Sequence, residues 1–434
     1  MMNNTTEFKD AAQAIAWIDG LRYASEKNGL ENMRALLDRL GNPQDRLRCV
    51  HVAGTNGKGS TCAMLERMLR QCGLKTGLYT SPYLMRYGER MRVDGAPIDD
   101  QAFVRLASRV RVEAEKLVEE GVRPTWFELG TAIAFLWFCE QQVDAAVIEV
   151  GLGGRLDPTN VIHPELCLIG PIGLEHTRQL GDTLEKIAFE KAGIIKAGVP
   201  VAVQRQQTES VRRVFIDAAQ ERGASLTDLS DYPLEDVRSD RFGSDFTIDG
   251  LRARVNLPGR HQASNAALAL VGLRLLQAQG WALDTGAALE GLEKTIWPAR
   301  LEWIDDRTLI DGAHNGHGAR ALADYARSFL KDRRIVLVAG MMKDKDVAEC
   351  AAVYATFADA AVATQISYPR AMPCEELAGI LKSHGVAAEA EADEEKAVAR
   401  ARTLAGADGV VLICGSLYLA GDVRLKLKDD GGRL

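Results

Sequence analysis

Short apolar runs of strand length alternate with longer stretches of helical period along most of this chain, and few architectures satisfy that pattern other than a mostly parallel sheet with helices on its faces. The expected fold class is therefore α/β. In the first part, 48–53 reads as a strand, 60–71 as a helix and 75–80 as the next strand. Further on, 99–119 and 127–141 read as helices, 144–150 and 165–170 as strands, 183–196 as a helix and 199–204 as a strand. Between 225 and 258 the texture shifts to short, polar-interrupted pieces, the pattern of small antiparallel strands joined by Gly and Asp turns. Helical stretches at 261–279 and 285–294 follow, and Trp297-Pro298 then interrupts the period. We place the domain boundary there, between 1–297 and 298–434. From Thr308 the alternation restarts with TLIDGAHN, RIVLVAGMM, DAAVATQ and GVVLICGS as strands, consistent with a smaller, Rossmann-like domain.

A length of 434 residues supports two such domains with separate cores. The 53 Lys and Arg against 60 Asp and Glu leave a net charge of −7, spread without long single-sign runs, which argues against a nucleic-acid partner but leaves room for a local basic pocket. The 8 cysteines are scattered, with no CxxC, and read as reduced, mostly buried thiols of a cytoplasmic protein. The start, MMNNTTEFKD, lacks a basic region followed by an apolar one, and no later apolar run approaches the roughly 20 residues of a membrane-spanning helix. No membrane association is expected.

The sharpest local feature is CVHVAGTNGKGSTCAML, residues 49–65: an apolar strand, a loop with three glycines and a lysine, then a helix. That order suits phosphate. Glycines let backbone N–H groups approach the oxygens, the helix start adds the positive end of its dipole, and Lys58 supplies a mobile charge. The spacing departs from G-x-x-x-x-G-K-[ST], because Val52 stands at the first Gly and Gly59 separates Lys58 from Ser60. A second turn, AAVIEVGLGGRLDPTN at 145–160, puts Glu149 near the carboxyl end of a strand apolar enough to be central, where a carboxylate can hold a hard cation or simply point into solvent. GLGG lacks the third glycine of a dinucleotide fingerprint, and Leu156-Asp157-Pro158 breaks any helix it would open. In the third stretch, 172–198, Glu175 and His176 follow a strand and Lys191 sits among apolar helix neighbours. A single His is more often a surface or hydrogen-bonded core residue than a ligand, and a helix lysine is ordinarily solvated. With no HxxxH or Cys/His cluster, a zinc site is not expected.

Taken together, AGTNGKGS, YTSPYL, EVGLGGRLD, LEHTRQLGDTLEKIAFEKAGI, Asn265 in HQASNAA, the PAR at 298–300, IDGAHN and GSLY at 415–418 resemble, in order and spacing, the folylpolyglutamate synthase and dihydrofolate synthase branch of the Mur ligase superfamily. The resemblance spans almost the whole chain. It implies a large P-loop-type ATPase domain, a smaller C-terminal glutamate-ligase domain, and an ATP-dependent ligase that attaches L-glutamate to folate or dihydropteroate through an acyl phosphate. It further implies that Thr55, Asn56, Gly57, Lys58, Gly59, Ser60, Asn265, Arg300, Asp311 and His314 contact ATP. Magnesium would be held by Ser81, Glu149, His176 and Lys191 as a carbamate, with potassium a further candidate ion; Lys58, His176 and Lys191 would be the catalytic set. The acceptor's pteroate part would meet Thr125, Phe127, Glu128, Leu156, Asp157 and Pro158. A monomer is expected. Tyr83, Glu175 and Ala299 stand where many relatives carry His, Asp and Gly.

Two other readings share these residues. A Mur-type ligase for a different acidic acceptor would use the same chemistry, and a non-catalytic ATP-dependent switch would use the same loop. A guanine-type switch would need an N/T-K-x-D base reader, which Met342-Lys343-Asp344-Lys345-Asp346 misses.

Overall fold

The computed structural model describes residues 7–21, 29–206 and 208–429. Residues 1–6, part of the start read above for targeting signals, lie outside them. The chain divides into two compact units, one of Met1–Asp236, Phe246–Arg254 and Ser264–Thr295, the other of Val237–Asp245, Val255–Ala263 and Ile296–Leu434.

The first unit is built on strands β1 (Cys49–Ala53), β2 (Thr76–Tyr79), β3 (Met91–Val93), β4 (Ala96–Pro97), β5 (Ala145–Glu149), β6 (Leu166–Ile169), β7 (Val201–Val203) and β8 (Leu226–Asp228), in the order β4-β3-β2-β5-β1-β6-β7-β8. Neighbours from β2 to β8 run parallel, while β3 and β4 are antiparallel. Every residue of β1, β5 and β6 is buried, as strands covered by helices on both faces must be, and this is why their sequences read as unbroken apolar runs. Leu226–Asp228 corrects one expectation. It belongs not to the small antiparallel set but to the edge of the large sheet, because helix Glu209–Glu221 buries Val211, Phe215 and Ala219 and returns the chain in parallel to β7. The helix expected at 183–196 is shorter, Leu184–Ala192: beyond it the Ile194 and Ile195 N–H groups bond to the Lys191 and Ala192 carbonyls, three residues back, and the Gly193 carbonyl is taken by the Asn160 amide at 3.1 Å.

Strands β9 (Leu234–Ser239), β10 (Ser244–Ile248) and β11 (Leu251–Val255) form a separate three-stranded sheet, where the sequence had suggested small strands. The second unit carries β12 (Glu302–Trp303), β13 (Thr308–Ile310), β14 (Ile335–Ala339), β15 (Ala360–Ala363), β16 (Ala388–Ala390) and β17 (Val410–Cys414), in the order β12-β13-β17-β14-β15-β16. All neighbours here are parallel except β12 with β13. The architecture is thus α/β in both units, as the alternation implied. Among the described residues no helix is long and apolar enough to cross a membrane. All 8 cysteines are free and six of them are buried.

Candidate active site

In a parallel sheet the loops after the strands' carboxyl ends form the ligand crevice, and in the first unit those loops carry the residues singled out above. After β1 the chain turns through Gly54 (φ 145°) and Gly57 (φ 81°) into helix Lys58–Gln71. Both glycines are required. A Cβ on Gly54 would come 3.0 Å from the Gly170 backbone, and one on Gly57 would come 2.5 Å from Oδ1 of the buried Asn265. The helix start has no side-chain cap, whereas helices beginning after Asp99, Thr125 and Thr183 are capped by those side chains.

Two lysines meet at this loop. Lys58 Nζ donates to the Gly54 and Thr55 carbonyls, each at 3.0 Å, and Lys191 Nζ donates to the same Gly54 carbonyl at 2.7 Å. Lys191 is not the solvated residue its helix position suggests; it is 1% exposed. Burial and the nearby Lys58 charge bring its pKa down to about 8, against the pull of Glu175, whose Oε1 lies 3.4 Å away. Burial works to raise the Glu175 carboxyl, but Lys58, Lys191 and His176 outweigh it and hold it below the ordinary range. The departure from Asp at this position thus provides the counter-ion of a buried lysine. The loop's hydroxyl, Thr55 Oγ1, is tied to Gly173 through both its N–H and its carbonyl, at 3.0 and 3.1 Å. Asn56 and Gly59 are half-buried and Ser60 is buried.

Glu149 ends β5 and is 4% exposed, so it does not point into solvent; its Oε2 accepts the Ser81 N–H at 3.0 Å, joining the turns after β5 and β2. His176 is exposed, in the left-handed region (φ 47°) at the start of Thr177–Leu180. Among the described residues no three His, Cys, Asp or Glu side chains gather as a ready-made metal cluster.

Residues expected on the pteroate side have structural partners. Thr125 and Glu128 form a reciprocal capping box at the start of Trp126–Glu140. Phe127 packs where a Cβ on Gly151 would fall, 2.4 Å from its ring. Asp157 is buried and receives the Leu152 N–H at 2.8 Å, the Thr159 N–H at 3.0 Å and the Thr159 hydroxyl at 2.5 Å. Burial raises its pKa and these bonds oppose the rise. Behind it, buried His51 on β1 reaches Thr159 Oγ1 at 2.9 Å, a link that a strand histidine in isolation did not signal. Leu156 and Pro158 flank Asp157, both half-buried.

In the second unit, Asp311 follows β13, and its carboxylate holds the Leu301 and Ala313 N–H groups at 2.9 and 2.8 Å. Burial raises its pKa, with Arg300 opposing. Arg300 sits between Ala299 (φ 55°) and Leu301 (φ 49°), and its NH1 donates to the Ala299 carbonyl at 2.9 Å. Ala299 keeps the left-handed conformation that a glycine adopts more cheaply. His314 Nδ1 lies 2.8 Å from the Gly312 carbonyl.

Comparison with known proteins agrees over both units. Residues 52–273 match the Mur ligase middle domain, and residues 299–417 the Mur ligase, glutamate ligase domain. The chain is 36% identical to the dihydrofolate synthase/folylpolyglutamate synthase of Bacillus subtilis over 98% of this chain and 100% of that one. It is 34% identical to the Escherichia coli protein of the same description, over 95% and 94%. Among solved structures, Mycobacterium tuberculosis folylpolyglutamate synthase complexed with ADP superposes with a TM-score of 0.90 at 30% identity, covering 96% of this chain and 98% of that one. Escherichia coli FolC in complex with DHPP and ADP gives 0.85 at 30% identity, over 98% and 100%. The chain therefore belongs to the folylpolyglutamate and dihydrofolate synthase family of the Mur ligase superfamily, ATP-dependent ligases that join an acid to an amino acid.

Proposed function

We propose that this protein adds L-glutamate to the terminal carboxylate of a folate-type acceptor, dihydropteroate or a reduced folate, with ATP as the energy source. The observation that carries the reading is the pair of lysines converging on Gly54 at an uncapped helix start, beside the carboxyl ends of β1, β2 and β5. Lys58, beside the positive end of the helix, makes the demand for an anion that a triphosphate answers, while the buried Lys191 on the same carbonyl is the amine available for carbamylation.

A carboxylate is a poor acyl donor because its leaving group would be oxide. The acceptor's carboxylate oxygen attacks the γ-phosphorus, ADP leaves, and the resulting acyl phosphate loses phosphate to the amine of glutamate. Such a transfer needs positioning and charge neutralisation more than covalent help. Lys58 exchanges its two loop carbonyls for phosphate oxygens, and the backbone N–H groups at 57–60 hold the chain of phosphates. Asn265 fixes the loop above Gly57, while Arg300, Asp311 and His314 form the nucleotide-binding turn of the second unit.

Magnesium fits the chemistry of the donors present: Ser81, the buried carboxylate of Glu149, and Lys191 once carbamylated, with His176 on the exposed side. An ammonium has only donors and cannot bind a cation, so the lowered pKa of Lys191 matters because carbamate formation requires the neutral amine. When bound, the ion supplies neutralisation of phosphate charge. We assign residues 1–297, apart from the segments Val237–Asp245 and Val255–Ala263 that cluster with the second unit, to phosphate and acceptor binding, and 298–434, beyond its nucleotide-binding turn, to glutamate ligation; the free cysteines support a cytoplasmic location. The test is mass spectrometry of products from purified protein with ATP, Mg²⁺, glutamate, and dihydropteroate or tetrahydrofolate in separate reactions. A glutamylated pterin is expected, and the acceptor that yields it fixes the preference. ATP turnover without any glutamylated pterin would sink the reading.

A further inference from the structure

Arg90 closes the short helical turn Tyr87–Arg90, just before β3, and is 2% exposed. A guanidinium taken out of water ordinarily finds a carboxylate. This one has none among the described residues, and its Nε and NH1 are buried without a hydrogen-bond partner. The neighbouring Glu89 is already committed to the N–H groups of Leu84, Met85 and Arg86 at 3.0, 3.3 and 3.2 Å. What surrounds Arg90 instead is aromatic: Cζ lies 5.3 Å from the Tyr83 ring centroid, 5.1 Å from Tyr87 and 5.1 Å from Trp126. Of those rings Tyr87 is buried, whereas Tyr83 and Trp126 each keep part of their surface open.

The two open rings belong to different segments. Tyr83 follows the Ser81-Pro82 turn, whose Ser81 N–H is bonded to Glu149, and Trp126 is the first residue of the helix capped by Thr125 and Glu128. A cation against both rings draws their electron density toward it and restrains their planes. For packing alone, an apolar side chain of similar volume would spare the desolvation of an unpaired charge. We propose that Arg90 is a positioning residue for the acceptor. It holds Tyr83 and Trp126 as two partly open aromatic faces against which an electron-rich planar ring system stacks, the pteridine or aminobenzoyl part of the substrate. This rests on the acceptor class given above. It also gives Tyr83, the departure from the more usual His, a role as one of those faces.

The test compares Arg90→Met and Arg90→Lys with the unaltered protein, using dihydropteroate and tetrahydrofolate as acceptors and measuring KM for acceptor and for ATP separately. Arg90→Met should raise acceptor KM about tenfold, roughly 1.4 kcal/mol, with ATP KM within about twofold. Arg90→Lys should fall between, since it keeps the charge but not the planar fork. Acceptor KM unchanged in Arg90→Met, or acceptor and ATP KM rising together, overturns the proposal. Should Arg90→Met fail to fold, Arg90→Lys and Tyr83→Leu decide: a selective rise in acceptor KM in both supports the proposal, and none in either overturns it. If the unaltered protein glutamylates neither acceptor, the acceptor class itself falls, a result distinct from an Arg90 effect.

Discussion

Lys191 is a lysine folded into the interior beside a second lysine, and both donate to one carbonyl oxygen. Its pKa of about 8 leaves roughly a tenth of the amine neutral at pH 7, far more than an ordinary lysine offers. Neutral amine and CO₂ combine to a carbamate and release a proton, so the modified fraction should rise with pH. We predict a lysine carbamate resonance in protein equilibrated with ¹³C-bicarbonate, growing from about pH 6.5 to 8.5 and missing from Lys191→Met; an unmodified lysine across that range would leave Glu149 as the one anionic donor of the proposed cation site. The same shift has a stability consequence. Because the unfolded chain holds the proton up to 10.5 and the folded one only to about 8, the Lys191 contribution to stability rises with pH between those values. Lys58 is a contrasting case, half-buried and bonded only to loop carbonyls. Lys58→Ala should lower kcat by roughly 10²–10³ while leaving far-UV circular dichroism and the unfolding midpoint near those of the unaltered protein; near-normal turnover would refute a role at the phosphates.

Among the elements, the glycine loop is the one whose geometry is most tightly determined. Gly57→Ala would force an L-residue into the left-handed region, at a cost of about 1–2 kcal/mol, and push its methyl into Asn265, 2.5 Å away. The expected result is a large rise in KM for ATP with little change in KM for glutamate, read from steady-state kinetics; an unchanged ATP KM would place the nucleotide elsewhere. This loop was legible in the sequence because glycines, a lysine and a flanking apolar strand are local signals. The same holds for β1, β5, β14 and β17, whose apolar runs reflect burial on both faces. The elements that escaped notice are those without a period of their own. Strands β4 and β12 have two residues each, β3 and β16 three, and such pieces are defined by their partners rather than by their sequence. The resemblance singled out Lys191, but its burial escaped for a related reason: the partners that hold it, Gly54 and Glu175, lie 137 and 16 positions away along the chain. For Asp157, the sequence resemblance pointed to substrate, and the structure adds hydrogen bonds from Leu152 and Thr159, partners that spacing alone could not disclose.

For the whole molecule, each unit is a largely parallel sheet whose loops at the carboxyl ends of the strands carry polar groups in otherwise apolar surroundings. In the first they follow β1, β2, β5 and β6; in the second, Asp311 follows β13 and buried Ser416 follows β17. Such a chain can bind a nucleotide, an acid and an amine, but binding all three does not by itself dictate how the acid is activated. In the reading proposed above, Lys58 neutralises charge at the terminal phosphate, and attack there moves one acceptor oxygen onto phosphorus. That oxygen leaves with inorganic phosphate when the amine displaces it. With dihydropteroate labelled with oxygen-18 in its carboxylate, each glutamylation should therefore yield phosphate carrying a single labelled oxygen, read as an isotope shift in ³¹P NMR, with ADP unlabelled. Attack at the α-phosphate would instead place the label in AMP, and that outcome would mean that Lys58 and its loop orient the nucleotide for adenylation rather than for phosphoryl transfer.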